Sequence, residues 1–175
     1  MATGPRNHQS VGHHIPTWNE YEQTIKSIYS CVTKNNLNLI IKRHPDTAEN
    51  DFSPDFYSKL SGVKIFKTGD LLELLNDSYL VISLGVTSSI LEAQILEKPV
   101  ISINVKYDIF GSTKYIPKSC PHIFIDEFEN LLSELMNEPD KVSRLIQKGE
   151  TAINENINNI GESSENLFNT LKRLE

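Results

Sequence analysis

A strand–helix–strand pattern in the middle of the chain most constrains its fold. Residues 79–83 form an apolar segment, residues 88–96 have the apolar spacing of a helix, and residues 100–103 are again apolar. Strands that are apolar on both faces are typical of parallel sheets covered by helices. The pattern therefore predicts a β-α-β unit with a right-handed crossover.

The same alternation extends over most of the chain. Further strands are predicted at residues 37–42, 63–66 and 122–125, and further helices from residue 18 onward and at 70–76, 128–137, 140–156 and 164–174. Alternating elements of this kind indicate an α/β fold with a doubly wound, Rossmann-like parallel sheet and helices on both faces. We predict one such domain over residues 18–175, preceded by a loop or first-strand remnant at residues 1–17.

Composition excludes several classes of function. The chain has a net charge of −6 and no basic patch, which excludes a nucleic-acid partner held by phosphate neutralisation. No apolar run approaches the ~20 residues of a membrane-spanning helix, so we expect no integral membrane segment. Two isolated cysteines fit a reducing compartment, and we expect a cytoplasmic chain that reaches a membrane only through partners. His8, His13 and His14 lack the spacing of metal ligands, so no metal is predicted.

Small and hydroxylated residues follow the strand at 79–83, where the next helix begins. Gly85, Thr87, Ser88 and Ser89 occupy this junction, and the free amides at the start of a helix attract anions. One hydroxyl would suffice to cap the helix, so three in a row favour a phosphate site. Glu92 lies one turn further on the face of Ser88, where it would either accept hydrogen bonds from a ribose or complement the helix dipole.

A histidine follows the strand at 37–42. His44 precedes Pro45, which fixes the turn, and the carboxyl ends of parallel strands meet at one edge of the sheet. His44 would there donate to a phosphate oxygen, or else be an ordinary surface histidine. The chain has no Gly-x-Ser-x-Gly elbow, no Walker lysine and no Gly-x-Gly-x-x-Gly fingerprint, which argues against hydrolase, P-loop and dinucleotide-binding functions.

These two motifs resemble the C-terminal, nucleotide-binding half of GT-B fold glycosyltransferases. The likeness is to capsule polysaccharide synthases, CDP-glycerol glycerophosphotransferases and bacterial sialyltransferases, which share a His-Pro motif, here His44-Pro45, and a Ser/Thr-Ser-Ser motif, here residues 87–89. The resemblance implies a transferase whose substrate is a nucleotide-linked sugar or polyol, with no separate cofactor. His44, also the candidate catalytic residue, and the hydroxyls would hold the donor's phosphates, and Glu92 the ribose.

The chain is also similar, more distantly, to UDP-N-acetylglucosamine 2-epimerases. That resemblance implies a phosphate contact by Arg6, although Ser88-Ser89 stands where the epimerases have Gly-Gly. In the GT-B half-domain a central strand comes first, and only residues 1–4 correspond to it here, so we expect a truncated first strand. The acceptor-binding half would be another domain or a separate chain. A donor-binding transferase domain, an epimerase-like domain and a non-catalytic binding remnant remain the three alternatives.

Overall fold

The first described helix begins at a capping signal that is local in the sequence. The structure is a computed structural model that describes residues 17–44, 52–53, 55–85, 87–105, 119–157 and 161–172. Helix α1 (Trp18–Lys34) begins at a capping box, in which the Thr17 hydroxyl accepts from the Glu20 amide at 3.3 Å and the Glu20 carboxylate accepts from the Thr17 amide at 2.8 Å. Such a cap contributes about 1 kcal/mol.

The remaining elements alternate as the sequence predicts. The strands are β1 (Ile40–Lys42), β2 (Lys64–Phe66), β3 (Val81–Leu84), β4 (Val100–Ile103) and β5 (His122–Ile123). The further helices are α2 (Leu71–Asn76), α3 (Ser89–Ile95), α4 (Phe128–Asn137), α5 (Pro139–Asn156) and α6 (Ser163–Lys172), with 3₁₀ turns at Tyr57–Lys59 and Ile125–Glu127. The loop predicted at residues 1–16 lies outside the described residues.

All described strand pairs are parallel, which confirms the prediction of an α/β fold with parallel strands. β1 pairs with β2 in one sheet, and a second sheet has the order β3-β4-β5. The sequence predicts a doubly wound parallel sheet with a truncated first strand. The described strands form two parallel sheets, since no described strand pairs with both β1 and β3.

Helices cover both faces of the three-stranded sheet. Ile82 and Ile101 point into the larger core with residues of α1 and α4, while Val81 and Val100 point into a smaller core with residues of α2 and α3. This alternation follows from the two-residue period of a strand. Ile41 of β1 belongs to the same larger core, so the two sheets share it.

Among the element boundaries that differ from the prediction, three have a clear physical cause. The first strand begins at Ile40 rather than residue 37, because the Leu37 amide still donates to the Val32 carbonyl of α1 at 3.0 Å. The last strand ends at Ile123, where the Phe124 amide donates to the Glu127 carboxylate at 2.9 Å and opens a 3₁₀ turn. Helix α5 includes Pro139 as its first residue, a position where the missing N–H costs nothing. In the part of the chain that the structure describes, no helix combines the length and apolar character needed to cross a membrane.

Candidate functional site

A row of polar side chains crosses the three-stranded sheet near its carboxyl end. Ser83 of β3 pairs with Ser102 of β4, and Ser102 pairs with His122 of β5. Paired residues of neighbouring strands share a face, and this face carries α3, since Val81 and Val100 lie two residues earlier in the smaller core. The two serines are only 1% and 0% exposed, so their hydroxyls require partners inside the protein.

A turn at Gly85 supplies that partner. The Gly85 carbonyl accepts from the Ser83 hydroxyl at 3.0 Å and from the Ser102 hydroxyl at 3.1 Å, while its amide donates to the Ile103 carbonyl at 2.8 Å. The φ of Gly85 is +73°, a conformation that a residue with a Cβ adopts only at a cost. Glycine is thus needed here to turn the chain back over the end of the sheet.

The hydrogen bonds continue beyond the turn into a connected set that we call the hydroxyl network. Its members are Ser83, Gly85, Thr87, Ser89, Ser102 and His122. Ser83 Oγ lies 3.0 Å from Thr87 Oγ1, Thr87 Oγ1 contacts Ser89 Oγ, and His122 Nδ1 lies 2.8 Å from Ser102 Oγ. The network therefore links β5 to the first residue of α3.

The network assigns the hydrogens, because each hydroxyl has one and a carbonyl has none. Ser83 and Ser102 both donate to Gly85, so Thr87 donates to Ser83 and Ser89 donates to Thr87. Thr87 is half-buried and Ser89 is 6% exposed. These two predicted phosphate-binding hydroxyls thus direct their hydrogens into the protein rather than towards a ligand.

Ser88 is placed differently from its two neighbours. Its side chain is exposed and makes no capping hydrogen bond, although Ser88 is the N-cap of α3. The amides of Ser88 and Ser89 find no acceptor within the described residues. One hydroxyl and two amides are therefore left as donors at the start of α3.

Glu92 lies where the sequence predicts, one turn along α3 from Ser88. Its amide donates to the Ser88 carbonyl at 3.2 Å, and its side chain is half-buried. None of the ion pairs among the described residues includes Glu92. Its carboxylate is thus left to accept hydrogen bonds near the exposed donors of Ser88.

His44, the predicted site residue at the other sheet, is not a member of the hydroxyl network as defined above. His44 is exposed just beyond β1, and none of the hydrogen bonds of the network reaches it. Arg6 and Pro45 lie outside the described residues, as do His8, His13 and His14. In the ranges that are described, no cluster of three or more His, Cys, Asp or Glu side chains forms.

Cations beside His44 make contacts within the protein. The Lys42 ammonium group donates to the carbonyls of Arg43 and Lys67 at 3.2 and 3.0 Å. The Arg43 guanidinium lies 4.8 Å from the centre of the Tyr57 ring, and its amide donates to the Phe66 carbonyl at 2.8 Å. The Lys42 side chain and the Arg43 backbone amide thus link the carboxyl ends of β1 and β2, while the Arg43 side chain packs on the 3₁₀ turn at Tyr57–Lys59.

Sequence reasoning missed Ser83, Ser102 and His122. A signal for the two serines was present, since β3 and β4 both begin Val-Ile-Ser, residues 81–83 and 100–102. A serine at the same place in two adjacent buried strands indicates a shared acceptor. His122 carried no comparable signal, because only the register of β5 places it beside Ser102.

The contact between Ser102 and His122 resembles a nucleophile with its base, but the environment excludes that role. Ser102 is 0% exposed, and its hydrogen goes to the Gly85 carbonyl. A nucleophile must reach its substrate and give its hydrogen to the base. The nearby Cys120 thiol is also buried, and burial raises its pKa, which keeps it protonated and weakly nucleophilic. Ser102 and His122 thus support the turn at Gly85.

Comparison with known proteins leaves the family of the chain open. A scan against protein-family models finds no match, and a search of the curated proteins finds no similar protein. What this site binds is therefore inferred from its own residues.

Proposed function

We propose that this chain is the donor-nucleotide-binding domain of a glycosyltransferase or glycerophosphotransferase in bacterial-type surface polysaccharide synthesis. The observation that carries the proposal is the turn at Gly85, which is held by buried hydroxyls and leaves the Ser88 hydroxyl and two amides as donors. Phosphate oxygens are strong acceptors and bind such groups at the start of helices. The site lies at the carboxyl end of parallel strands, where α/β proteins bind ligands.

The arrangement of the neighbouring side chains fits the rest of a nucleotide donor. With the phosphate at Ser88, the Glu92 carboxylate lies one helical turn further and would accept hydrogen bonds from the two ribose hydroxyls. His44, at the end of β1, would donate to an oxygen of the second phosphate. Transfer breaks the bond between the donor group and the nucleotide, and the charge then left on the nucleotide is stabilised by these donors.

Binding to the purified chain tests this proposal. CDP, CMP and UDP are titrated by calorimetry into the wild type and into Ser88→Ala. A hydrogen bond to a charged group is worth about 1.5–3 kcal/mol, so Ser88→Ala should weaken binding by about 10- to 150-fold. The matched control is Ser163→Ala, which removes an exposed serine from the first residue of α6. Absence of binding for all three nucleotides, or equal affinity of Ser88→Ala and the wild type, would contradict the proposal.

The role of Glu92 is tested with the sugar of the nucleotide. If its carboxylate accepts from the ribose, the wild type should bind CDP more tightly than 2′-deoxy-CDP, and Glu92→Gln should reduce this preference. If Glu92 only complements the dipole of α3, the substitution should lower stability slightly and leave the preference unchanged. The ratio of the two affinities separates these roles without depending on the absolute affinity.

A further inference from the structure

We propose that His122 is a positioning residue of this site, which acts through Ser102 and Gly85 on the turn that presents Ser88. His122 does not itself need to touch the ligand. The ligand, a nucleotide phosphate, rests on the proposed function above. The coupling between His122 and Gly85 rests on the hydrogen bonds of the hydroxyl network alone.

In the hydrogen bond between His122 and Ser102, the ring is the donor and the hydroxyl oxygen is the acceptor. Only one arrangement of hydrogens satisfies the five contacts of the network. In it the Ser102 hydroxyl donates to the Gly85 carbonyl, so Ser102 Oγ must accept from His122 Nδ1. The neutral ring therefore carries its hydrogen on Nδ1, and a protonated ring keeps a hydrogen there as well.

The hydrogen on His122 Nδ1 fixes the rotation of the Ser102 hydroxyl. Without a donor at position 122, the Ser102 hydroxyl loses the group that fixes its rotation, since Ser102 has no other side-chain partner among the described residues. The Gly85 carbonyl then depends on Ser83, whose oxygen also accepts from Thr87. Ser88 follows Gly85 by three residues. When the Gly85 carbonyl is held less firmly, the Ser88 hydroxyl and the amides at the start of α3 are therefore less well ordered for the ligand.

Two substitutions of His122 distinguish a positioning role from a packing role. His122 is half-buried as the first residue of a two-residue strand, so its ring contributes some packing as well. A phenylalanine keeps the ring and removes the donor, whereas an asparagine places an N–H near the position of Nδ1 and removes the ring. Packing predicts that phenylalanine is the milder change, and positioning predicts that asparagine is.

The experiment measures the CDP affinity of the wild type, His122→Phe and His122→Asn, together with their melting temperatures. Loss of one orienting hydrogen bond should raise the Kd of His122→Phe by about fivefold to tenfold, with His122→Asn within about twofold of the wild type. Equal weakening by both variants, or unchanged binding in His122→Phe, would overturn the proposal. A drop in melting temperature alone, with wild-type affinity, would indicate a purely structural role.

Nuclear magnetic resonance keeps the test independent of the ligand. In the free wild type, the ¹⁵N spectrum of His122 should show the hydrogen on Nδ1, and the Gly85 carbonyl carbon should shift in His122→Phe and in Ser102→Ala. The shift in the double variant should match that of Ser102→Ala alone, because both changes act through one hydroxyl. If the wild type binds no nucleotide, the proposed function fails, while these shifts still decide the role of His122. A ring hydrogen found on Nε2 alone, or an unchanged chemical shift of the Gly85 carbonyl carbon in the variants, overturns the positioning role of His122.

Discussion

The carboxyl ends of the two sheets carry different polar groups and use them differently. At the end of β1, the cations Lys42 and Arg43 contact backbone carbonyls and the Tyr57 ring. Beyond β3, neutral hydroxyls hold the Gly85 carbonyl and leave Ser88 exposed. The groups that would attract a phosphate most strongly by charge are thus engaged inside the protein, while neutral donors face outward. The type of side chain at a strand end does not by itself identify a binding group.

The difference follows from what each sheet needs at its end. The two-stranded sheet ends in carbonyls at Arg43 and Lys67, which lack a further strand to pair with among the described elements, and the long Lys42 side chain reaches both. The three-stranded sheet turns sharply at Gly85, and short serine side chains from within the strands reach its carbonyl. The length of side chain that is needed to reach the carbonyls therefore explains why the two-stranded sheet ends in a lysine and the three-stranded sheet uses serines.

The largest expected effect tests whether the two sheets form one cooperative unit. Ile41 of β1 and Ile101 of β4 are both 0% exposed in the same core, so replacing either by alanine should lower the free energy of unfolding by about 3–4 kcal/mol. Urea unfolding is followed by circular dichroism, which reports all helices, and by fluorescence of the single tryptophan, Trp18, which packs on Phe52. Both signals should shift together in both variants.

Different unfolding midpoints for circular dichroism and Trp18 fluorescence would show that the two sheets are not one cooperative unit. If Ile101→Ala shifted the circular dichroism and left the Trp18 transition in place, the two sheets would unfold independently. Their carboxyl ends would then belong to separate units rather than to two parts of one domain. Val142→Ala, a partly buried position on α5 against the same core, serves as a milder control.

The order of elements could be predicted because it depends on local patterns. The spacing of apolar residues in α1 and the apolar run of β4 are readable from neighbours in sequence, and both elements appear where they were predicted. The polar row could not be predicted, because it depends on which residues of separate strands lie side by side. Ser83, Ser102 and His122 come together only through the registers of β3, β4 and β5.

The place of Thr87, Ser88 and Ser89 at the start of a helix was also readable, but the hydrogen bonds of their hydroxyls were not. Thr87, Ser88 and Ser89 are equivalent in sequence as small donors at a helix start. In the structure Thr87 and Ser89 bond to each other and, through Thr87, to Ser83, and only Ser88 is exposed. The difference arises because Ser83 offers an acceptor on the inner side of the turn, which sequence spacing does not reveal.

The next largest effect concerns the hydroxyl network. Ser83→Ala removes one of two donors from the buried Gly85 carbonyl and leaves the Thr87 hydroxyl without its acceptor. Leaving buried polar groups unsatisfied should lower the free energy of unfolding by about 2 kcal/mol, measured in urea. The matched control is Ser58→Ala, an exposed serine that donates to the Asp55 carbonyl at 2.8 Å. Equal losses in the two variants would show that burial of the network adds nothing.

A smaller, pH-dependent effect is expected at Glu22 of α1. The Glu22 carboxylate, 3% exposed, accepts from the Ser53 amide and lies 3.8 Å from the Lys26 ammonium group. Burial raises its pKa, but the hydrogen bonding to Ser53 and the charges of Lys26 and Lys59 outweigh burial and lower the pKa below its ordinary value. A carboxylate of this kind stabilises the fold above the pKa of the unfolded chain, near 4.3, and the stabilisation is lost as the pH falls through the lower folded value.

Glu22→Gln should therefore cost about 1 kcal/mol at pH 7, the difference between a charged and a neutral hydrogen bond. That cost should shrink once the pH falls below the pKa of the unfolded carboxyl, near 4.3, and disappear when the pH lies below the lower pKa of the folded carboxyl, where the wild-type group is also neutral. Urea unfolding of both proteins between pH 7 and pH 3 measures it. A cost that stays constant over this range would mean that the charge of Glu22 contributes nothing. The hydroxyl network contains no carboxylate, and His122 keeps its hydrogen on Nδ1 when it is protonated, so Ser83→Ala should keep its effect over the same range.

The smallest effect distinguishes the two sheet ends most directly. Lys42→Met removes an ammonium group that donates to two carbonyls, so it should lower the free energy of unfolding by less than about 1 kcal/mol, since partly solvated hydrogen bonds contribute little. Because this group is engaged within the protein, the affinity for CDP should stay within about twofold of the wild type, in contrast to the loss expected for Ser88→Ala. Lys67→Met, at an exposed neighbouring lysine, controls for the loss of one positive charge near the site. If Lys42→Met weakened CDP binding as much as Ser88→Ala while Lys67→Met did not, the Lys42 ammonium group at the end of β1 would be a binding group, and charge rather than exposed neutral donors would define the site.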